Sequence, residues 1–253
     1  MHIFFVKQIE SEIIGVLQMI ERVYSMFKLP FSAVVSTRPK EFIGDLELWN
    51  RAESILKQVV ETKFNVCNID EEGGAFYGPK IDITIEDAQG RKHQCATIQL
   101  DFQLPERFKL AYIDKECKRV QPVMIHRAVL GSIERFMAIL LEHTQGNLPF
   151  WLSPRQIYIV PISKEFNEYC QRVFQKFNRK YQVVYDDNDD HFKSKIGFAE
   201  SFKWNLILIV GKREVETLTV NVRSSHKVIG SYSIDYIYNQ LKQTCRTFVE
   251  PKF

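Results

Sequence analysis

Residues Met124 to Phe136 read MIHRAVLGSIERF, and this run decides more about the chain than any other. An apolar pair opens it, and His126 and Arg127 follow. The spacing then predicts a helix, entered at His126, that carries Gly131, Ser132, Glu134 and Arg135. On such a helix Arg135 lies one turn after Gly131 on the same face. Glycine there leaves room for a flat ligand against the backbone, and arginine offers a fixed fork of donors to a phosphate or a π-face. Packing a core demands neither.

Two runs upstream add polar chemistry to an apolar frame: GGAFYGPKIDITIED (73–87) and QCATIQLDFQLPERF (94–108). From Lys80 to Asp87 the residues alternate, with Ile81, Ile83 and Ile85 on one side and Asp82, Thr84 and Glu86 on the other. Ala88 to Arg91, with Gly90, makes a turn, and Lys92 to Phe102 returns as a second strand, which predicts a hairpin. Gly78-Pro79 is a rigid turn that fixes Tyr77 and Lys80. Gln94 and Gln99 are five apart, so a regular strand would point them to opposite faces. Either a bulge intervenes, or Gln94 acts through its backbone.

Around these strands, Ile9, Ile13, Leu17, Ile20, Tyr24 and Phe27 recur with a helical period over 8–27. Phe31 to Val35 reads as a strand. Asp45 is suited to cap a helix running to about Glu61, with Trp49, Ala52, Ile55, Leu56 and Val59 on its buried side. Strands with long helices outside them predict an antiparallel sheet of α+β type. Asn147 to Pro154 carries two prolines, and the domain boundary is expected there, giving domains over 1–150 and 155–253. Beyond it strands at 156–162, 181–185, 206–210 and 218–222 alternate with helices at 164–179, 195–204 and 234–248. That order predicts a small α/β domain with a mixed sheet.

With 34 basic against 31 acidic residues, the net charge of +3 is too mild to mark a general nucleic-acid binder, so any RNA contact must come from a local basic surface. The five cysteines are scattered without a C-x-x-C pair, which fits a reducing compartment better than a disulfide framework. The apolar start, Ile3 to Val6, is too short for a signal or membrane segment. A cytoplasmic location without membrane contact is expected, and an organellar one stays open.

The three quoted runs, in this order and spacing, resemble the class II aminoacyl-tRNA synthetases in their threonyl form, with MIHRAVLGSIERF similar to motif 3. The resemblance extends from His2 to about Gln243. It implies an antiparallel-sheet catalytic domain, of which this chain carries the C-terminal part, then an anticodon-binding domain. The implied activity is that of a threonine–tRNA ligase, which activates threonine with ATP and Mg2+ and transfers it to threonine tRNA. On this resemblance Arg135 is the catalytic residue that holds the bent ATP. Gln94, Thr97 and Gly131 join it at the nucleotide. Tyr77, Gln99 and Ser132 meet the threonine, and Lys80 is a phosphate or carboxylate partner. HIFF at 2–5 is similar to the family's H-I-F segment, so His2 and His126 match its two zinc histidines. A site that demands the threonine hydroxyl rejects valine, which an apolar pocket cannot do. In the second domain Glu214 and Arg223, nine apart around a strand, match the pair that reads anticodon bases, within a basic rim of Lys212, Arg213 and Lys227.

The same resemblance places the family's cysteine zinc ligand, its motif 1 with much of the homodimer interface, and its motif 2 arginines upstream of what this sequence contains. An N-terminally truncated enzyme is therefore expected, weak or inactive in threonine activation alone, with two imidazoles holding zinc poorly. The other reading is a non-catalytic, synthetase-like protein that binds tRNA or regulates. A prolyl or glycyl relative is a weaker rival, against which the paired His2 and His126 argue. The acidic run from Asp186 to His191 departs from the family pattern and reads as a solvated loop rather than a cation site.

Overall fold

The computed structural model describes residues 2–4 by their backbone, and residues 8–87, 89–224, 226–251 and 253 with their side chains. The chain divides into two compact units, Met1–His143 and Thr144–Phe253.

In the first unit, strands β1 (His2–Phe4), β2 (Phe31–Ser36), β3 (Asn68–Asp70), β4 (Lys80–Glu86) and β5 (Lys92–Asp101) enter one sheet. A hairpin of β6 (Tyr112–Ile113) and β7 (Arg119–Val120) stands apart, and β8 (Val123–Ala128) rejoins the sheet. The order is β1-β8-β5-β4-β2-β3. Every neighbouring pair is antiparallel except β2 with β3. Alternation sorts the faces as expected. Ile81, Ile83 and Ile85 of β4 are fully buried, as are Ala96, Ile98 and Leu100 of β5.

Two amphipathic helices supply the apolar cover. Helix α1 (Ile9–Met26) buries Ile13, Leu17, Ile20 and Tyr24, and α2 (Leu46–Phe64) buries Trp49, Ala52, Leu56, Val59 and Val60. The Asp45 carboxylate accepts from the Leu48 amide at 3.0 Å and starts α2, and Asn65 ends it in the left-handed region at φ 57°. Short α3 (Gln103–Arg107) follows β5, and α4 (Ile133–His143) follows β8.

One expectation is corrected here. His126 does not enter a helix: residues 123–128 form a strand between β5 and β1, and the helix begins only at Ile133. The break is Gly131, whose φ of +64° cannot continue a right-handed helix. Gly131 and Arg135 thus do not share a helical face.

In the second unit, β9 (Ile157–Pro161), β10 (Val183–Tyr185), β11 (Leu206–Val210), β12 (Thr219–Ser224) and β13 (Lys227–Ser233) form a mixed sheet ordered β10-β9-β11-β12-β13. The first three strands are parallel, and the last two continue antiparallel. Helices α5 (Asn167–Phe177) and α8 (Ile234–Thr247) cover one face through Val173, Phe177, Ile237 and Leu241. Helix α6 (Phe192–Ser201) covers the other through Phe192, Ile196 and Ala199. Short α7 (Lys212–Thr217) and β13 have no counterpart in the sequence reading. Phe150, from the proline-bearing stretch, is fully buried in this unit's core. Among the described residues no helix is long and apolar enough to cross a membrane.

Replacing the fully buried Leu17 by alanine is expected to cost about 2–5 kcal/mol of unfolding free energy. Replacing Ile133, which is 62% exposed, should change it by less than about 0.5 kcal/mol. Urea unfolding of both variants checks this; equal losses would contradict the assigned core.

Candidate functional site

The face of the first sheet opposite α1 and α2 is polar, and a β-bulge determines which residues reach it. Along β4 and β5, Ile83 pairs with Ala96 while Thr84 pairs with Gln94, so Cys95 is the extra residue. One added residue reverses the alternation. Gln94 therefore shares a face with Thr97 and Gln99, opposite Thr84, Asp82 and Lys80 respectively. Of the two routes left open by the five-residue spacing, the bulge is the one the structure takes.

At one end of this face, the Tyr77 hydroxyl donates to Gln99 Oε1 at 2.9 Å, and Gln99 Nε2 donates to the Gly78 carbonyl at 3.3 Å. Gln99 pairs across the strands with His126, whose ring stands 6.4 Å from that of Tyr77, edge to face. His126 Nε2 lies 2.8 Å from Oδ2 of the fully buried Asp101. The other oxygen of Asp101 accepts from the Gln103 and Leu104 amides and caps α3. Asp101 thus fixes the imidazole from a rigid helix end. In mid-face, Lys80 pairs with Asp82 at 2.6 Å, and Asp82 also accepts from Ser36, Gln94 and Thr97.

At the bulge the start of α4 comes down on the sheet. A Cβ at Gly131 would stand 2.4 Å from the Cys95 carbonyl oxygen, so only glycine permits the approach. The Tyr24 hydroxyl of α1 donates to the Val129 carbonyl at 2.9 Å and pins the loop before it. Ser132 begins α4: its hydroxyl accepts from the Arg135 amide at 3.4 Å and donates to Glu134 at 2.7 Å. That bond holds the Glu134 carboxyl below its ordinary pKa. Burial raises the pKa of the Cys95 thiol, and the charge of Arg135, exposed on the first turn of α4, opposes the rise.

The expected site residues therefore fall into adjoining groups. Tyr77, Gln99 and His126 are in mutual contact, Lys80, Gln94 and Thr97 converge on Asp82, and Gly131 meets the sheet at Cys95 just before Ser132 and Arg135 at the start of α4. Asp82 and Asp101 were not singled out from the sequence, although each falls on the polar side of its strand.

For zinc, His126 fits the donor chemistry: a carboxylate on Nε2 leaves Nδ1 for a metal, the usual arrangement of a ligating histidine. The backbone of His2 lies in β1 opposite Ile125, and its side chain is outside the described residues. Among the described residues no three His, Cys, Asp or Glu side chains are grouped to hold a metal ion.

In the second unit, Glu214 and Arg223 each have their own partners. Glu214 is buried and accepts from the Gly211 amide at 3.1 Å, at the start of α7. Arg223 pairs through Nε with Glu200 of α6 at 2.5 Å, and His226 takes the other Glu200 oxygen at 3.0 Å. Burial pushes the Glu200 carboxyl up, but the bonds from Arg223 and His226 outweigh it and the net shift is downward. Of the run from Asp186 to His191, residues 187–191 are exposed, as expected, and only the first carboxylate, Asp186, is buried. Asp186 accepts from the Tyr158 hydroxyl at 2.6 Å, and the buried Lys195 bonds the Asp186 and Asn188 carbonyls.

The profile of the tRNA synthetase class II core domain (G, H, P, S and T) matches residues 1–144, and that of an anticodon binding domain matches residues 156–243. The chain is 46% identical over 248 residues to a probable cytoplasmic threonine–tRNA ligase of Arabidopsis thaliana, covering 95% of this chain and 54% of that protein. It is 44% identical over 252 residues to a mitochondrial threonine–tRNA ligase of the same plant, covering 98% of this chain and 36% of that protein. The chain thus spans about half, or less, of the length of these relatives. Among solved structures, the RNA binding domain of threonyl-tRNA synthetase from Cryptosporidium parvum Iowa II superposes with a TM-score of 0.89 at 38% identity, over 99% of this chain and 63% of that one.

Gly131→Ala is expected to destabilise the first unit by about 1–3 kcal/mol, because a left-handed residue would gain a side chain facing a carbonyl. A denaturant midpoint unchanged from the parent would contradict this contact.

Proposed function

The chain belongs to the class II tRNA synthetases, and on that premise we propose that it works within a threonine–tRNA ligase. Residues 1–150 carry the amino-acid and nucleotide surface, and residues 155–253 bind the anticodon of threonine tRNA. The observation that carries this reading is the bulge at Cys95, which puts Gln94, Thr97 and Gln99 on one face while the Cys95 carbonyl receives Gly131 just before the helix that carries Arg135. Tyr77, Gln99, Ser132 and Lys80 receive threonine. Gln94, Thr97, Gly131 and Arg135 receive ATP with its Mg2+. The relatives' names support a cytoplasmic location, with the mitochondrial form as the other possibility.

In the activation step the threonine carboxylate attacks the α-phosphorus of ATP. The bond to the bridging oxygen breaks, and pyrophosphate leaves with the electron pair. The aminoacyl group then passes to a terminal ribose hydroxyl of the tRNA, releasing AMP. This chain's residues contribute position and charge. Arg135, exposed on the first turn of α4, meets negative charge on the phosphates. Tyr77 and Gln99, already bonded to each other, present a preorganised polar edge to the amino acid. His126, oriented by Asp101, and His2 would hold the zinc, which when bound supplies open coordination positions for the threonine amino and hydroxyl groups. Arg223 keeps its terminal nitrogens for RNA, since Nε is the atom that pairs with Glu200.

Isothermal titration with threonyl-sulfamoyl-adenosine tests the reading. The parent chain should bind it, and the valyl analogue more weakly. Arg135→Ala should raise Kd by about tenfold or more, as loss of a charged hydrogen-bond partner does. Binding of threonine tRNA with no binding of the adenylate analogue would favour the non-catalytic reading. In a parallel measurement, Arg223→Ala should weaken binding of threonine tRNA but leave the analogue's Kd unchanged; loss of both would contradict the division of labour.

A further inference from the structure

We infer that Asp82 is the positioning residue of this surface: one buried carboxylate gathers Ser36, Lys80, Gln94 and Thr97 and decides which hydrogen-bonding atoms face the ligand. This rests on the function proposed above and names a residue that the family resemblance did not supply.

Asp82 is 8% exposed, in the middle of β4. Its Oδ2 accepts from Ser36 Oγ of β2 at 2.9 Å and from Lys80 Nζ at 2.6 Å. Its Oδ1 accepts from Thr97 Oγ1 of β5 at 3.0 Å and from Gln94 Nε2. Four donors from three strands thus meet one side chain. An ionised carboxylate can only accept. It therefore turns the NH2 end of Gln94 inward, where Nε2 also donates to Thr97 Oγ1 at 3.0 Å. The Gln94 carbonyl is the atom left over, and Gln94 is exposed. The surface consequently offers an acceptor there, suited to a hydroxyl or amine donor of the nucleoside. Without the carboxylate, the amide of Gln94 could present either end.

The Lys80–Asp82 pair has a second consequence. Lys80 lies within a half-buried ion pair and is not a free cation, so it orients neighbouring groups rather than anchoring a phosphate on its own.

A double-mutant cycle on the full chain tests the assignment, with threonyl-sulfamoyl-adenosine as probe and calorimetric Kd as readout. Asp82→Asn places an amide donor against Gln94 and is expected to weaken the probe about tenfold, the cost of one misdirected, partly buried hydrogen bond. Gln94→Ala should do likewise. If Asp82 acts through Gln94, the double variant is no weaker than either single one. Full multiplication of the two effects would overturn the proposal, as would an Asp82→Asn variant that binds like the parent. Should Asp82→Asn fail to fold, Ser36→Ala removes a donor that holds Asp82 from β2, and its effect must likewise vanish in a Gln94→Ala background. A parent chain that does not bind the probe defeats the proposed function instead. Asp82 is then judged by the side-chain amide resonances of Gln94, which must shift in Asp82→Asn and would refute the assignment if they stayed in place.

Discussion

A single inserted residue in a β-ladder organises the ligand-facing surface. Between Ile83 and Thr84 the partner strand carries one residue too many, and Cys95 absorbs it. Without that bulge, the period of two would turn Gln94 toward the helices while Thr97 and Gln99 stayed on the polar side. The same residue forms the floor on which α4 begins: its carbonyl leaves no room for any side chain at position 131. A bulge normally weakens pairing, and here the cost is offset by contacts that only the bulged geometry allows. The Tyr24 bond to Val129 and the Ser132 cap lock the descending loop in place.

Much of this was legible in the residues. The alternation Ile81, Ile83, Ile85 against Asp82, Thr84, Glu86 sorted the two faces of β4, because a half-buried strand has no other way to satisfy both. The period of α1 and the Asp45 cap located helices for similarly local reasons. The stretch from Met124 to Phe136 was harder. Its apolar spacing is compatible with a helix throughout, and only neighbours β1 and β5, distant in sequence, convert 123–128 into a strand. Gly131-Ser132 was the local signal for the break: a residue suited to positive φ followed by a good N-cap. The bulge could be posed as one of two alternatives but not chosen, since register depends on both strands at once.

Convergence of side chains was the least legible layer. Nothing in the spacing of Ser36, Lys80, Asp82, Gln94 and Thr97 announces that four of them donate to the fifth; that follows from the strand order β5-β4-β2. Asp101 is a similar case, joining His126 to the start of α3 through its two oxygens. In the second unit Lys195 is buried against Asp186 and two carbonyls, which anchors the first residue of an acidic run whose other members, Asp187, Asp189, Asp190 and His191, are exposed as they read. Charge counting along a chain overlooks such pairs because the lysine comes from the helix that follows.

The claim beneath all of these is the pairing at the bulge, and cross-strand nuclear Overhauser contacts in the purified chain measure it directly. Contacts that pair Ile83 with Ala96 and Thr84 with Gln94, with Cys95 facing neither, are the predicted result. A ladder in which Thr84 faces Cys95 and the pairs continue without a step would contradict the account.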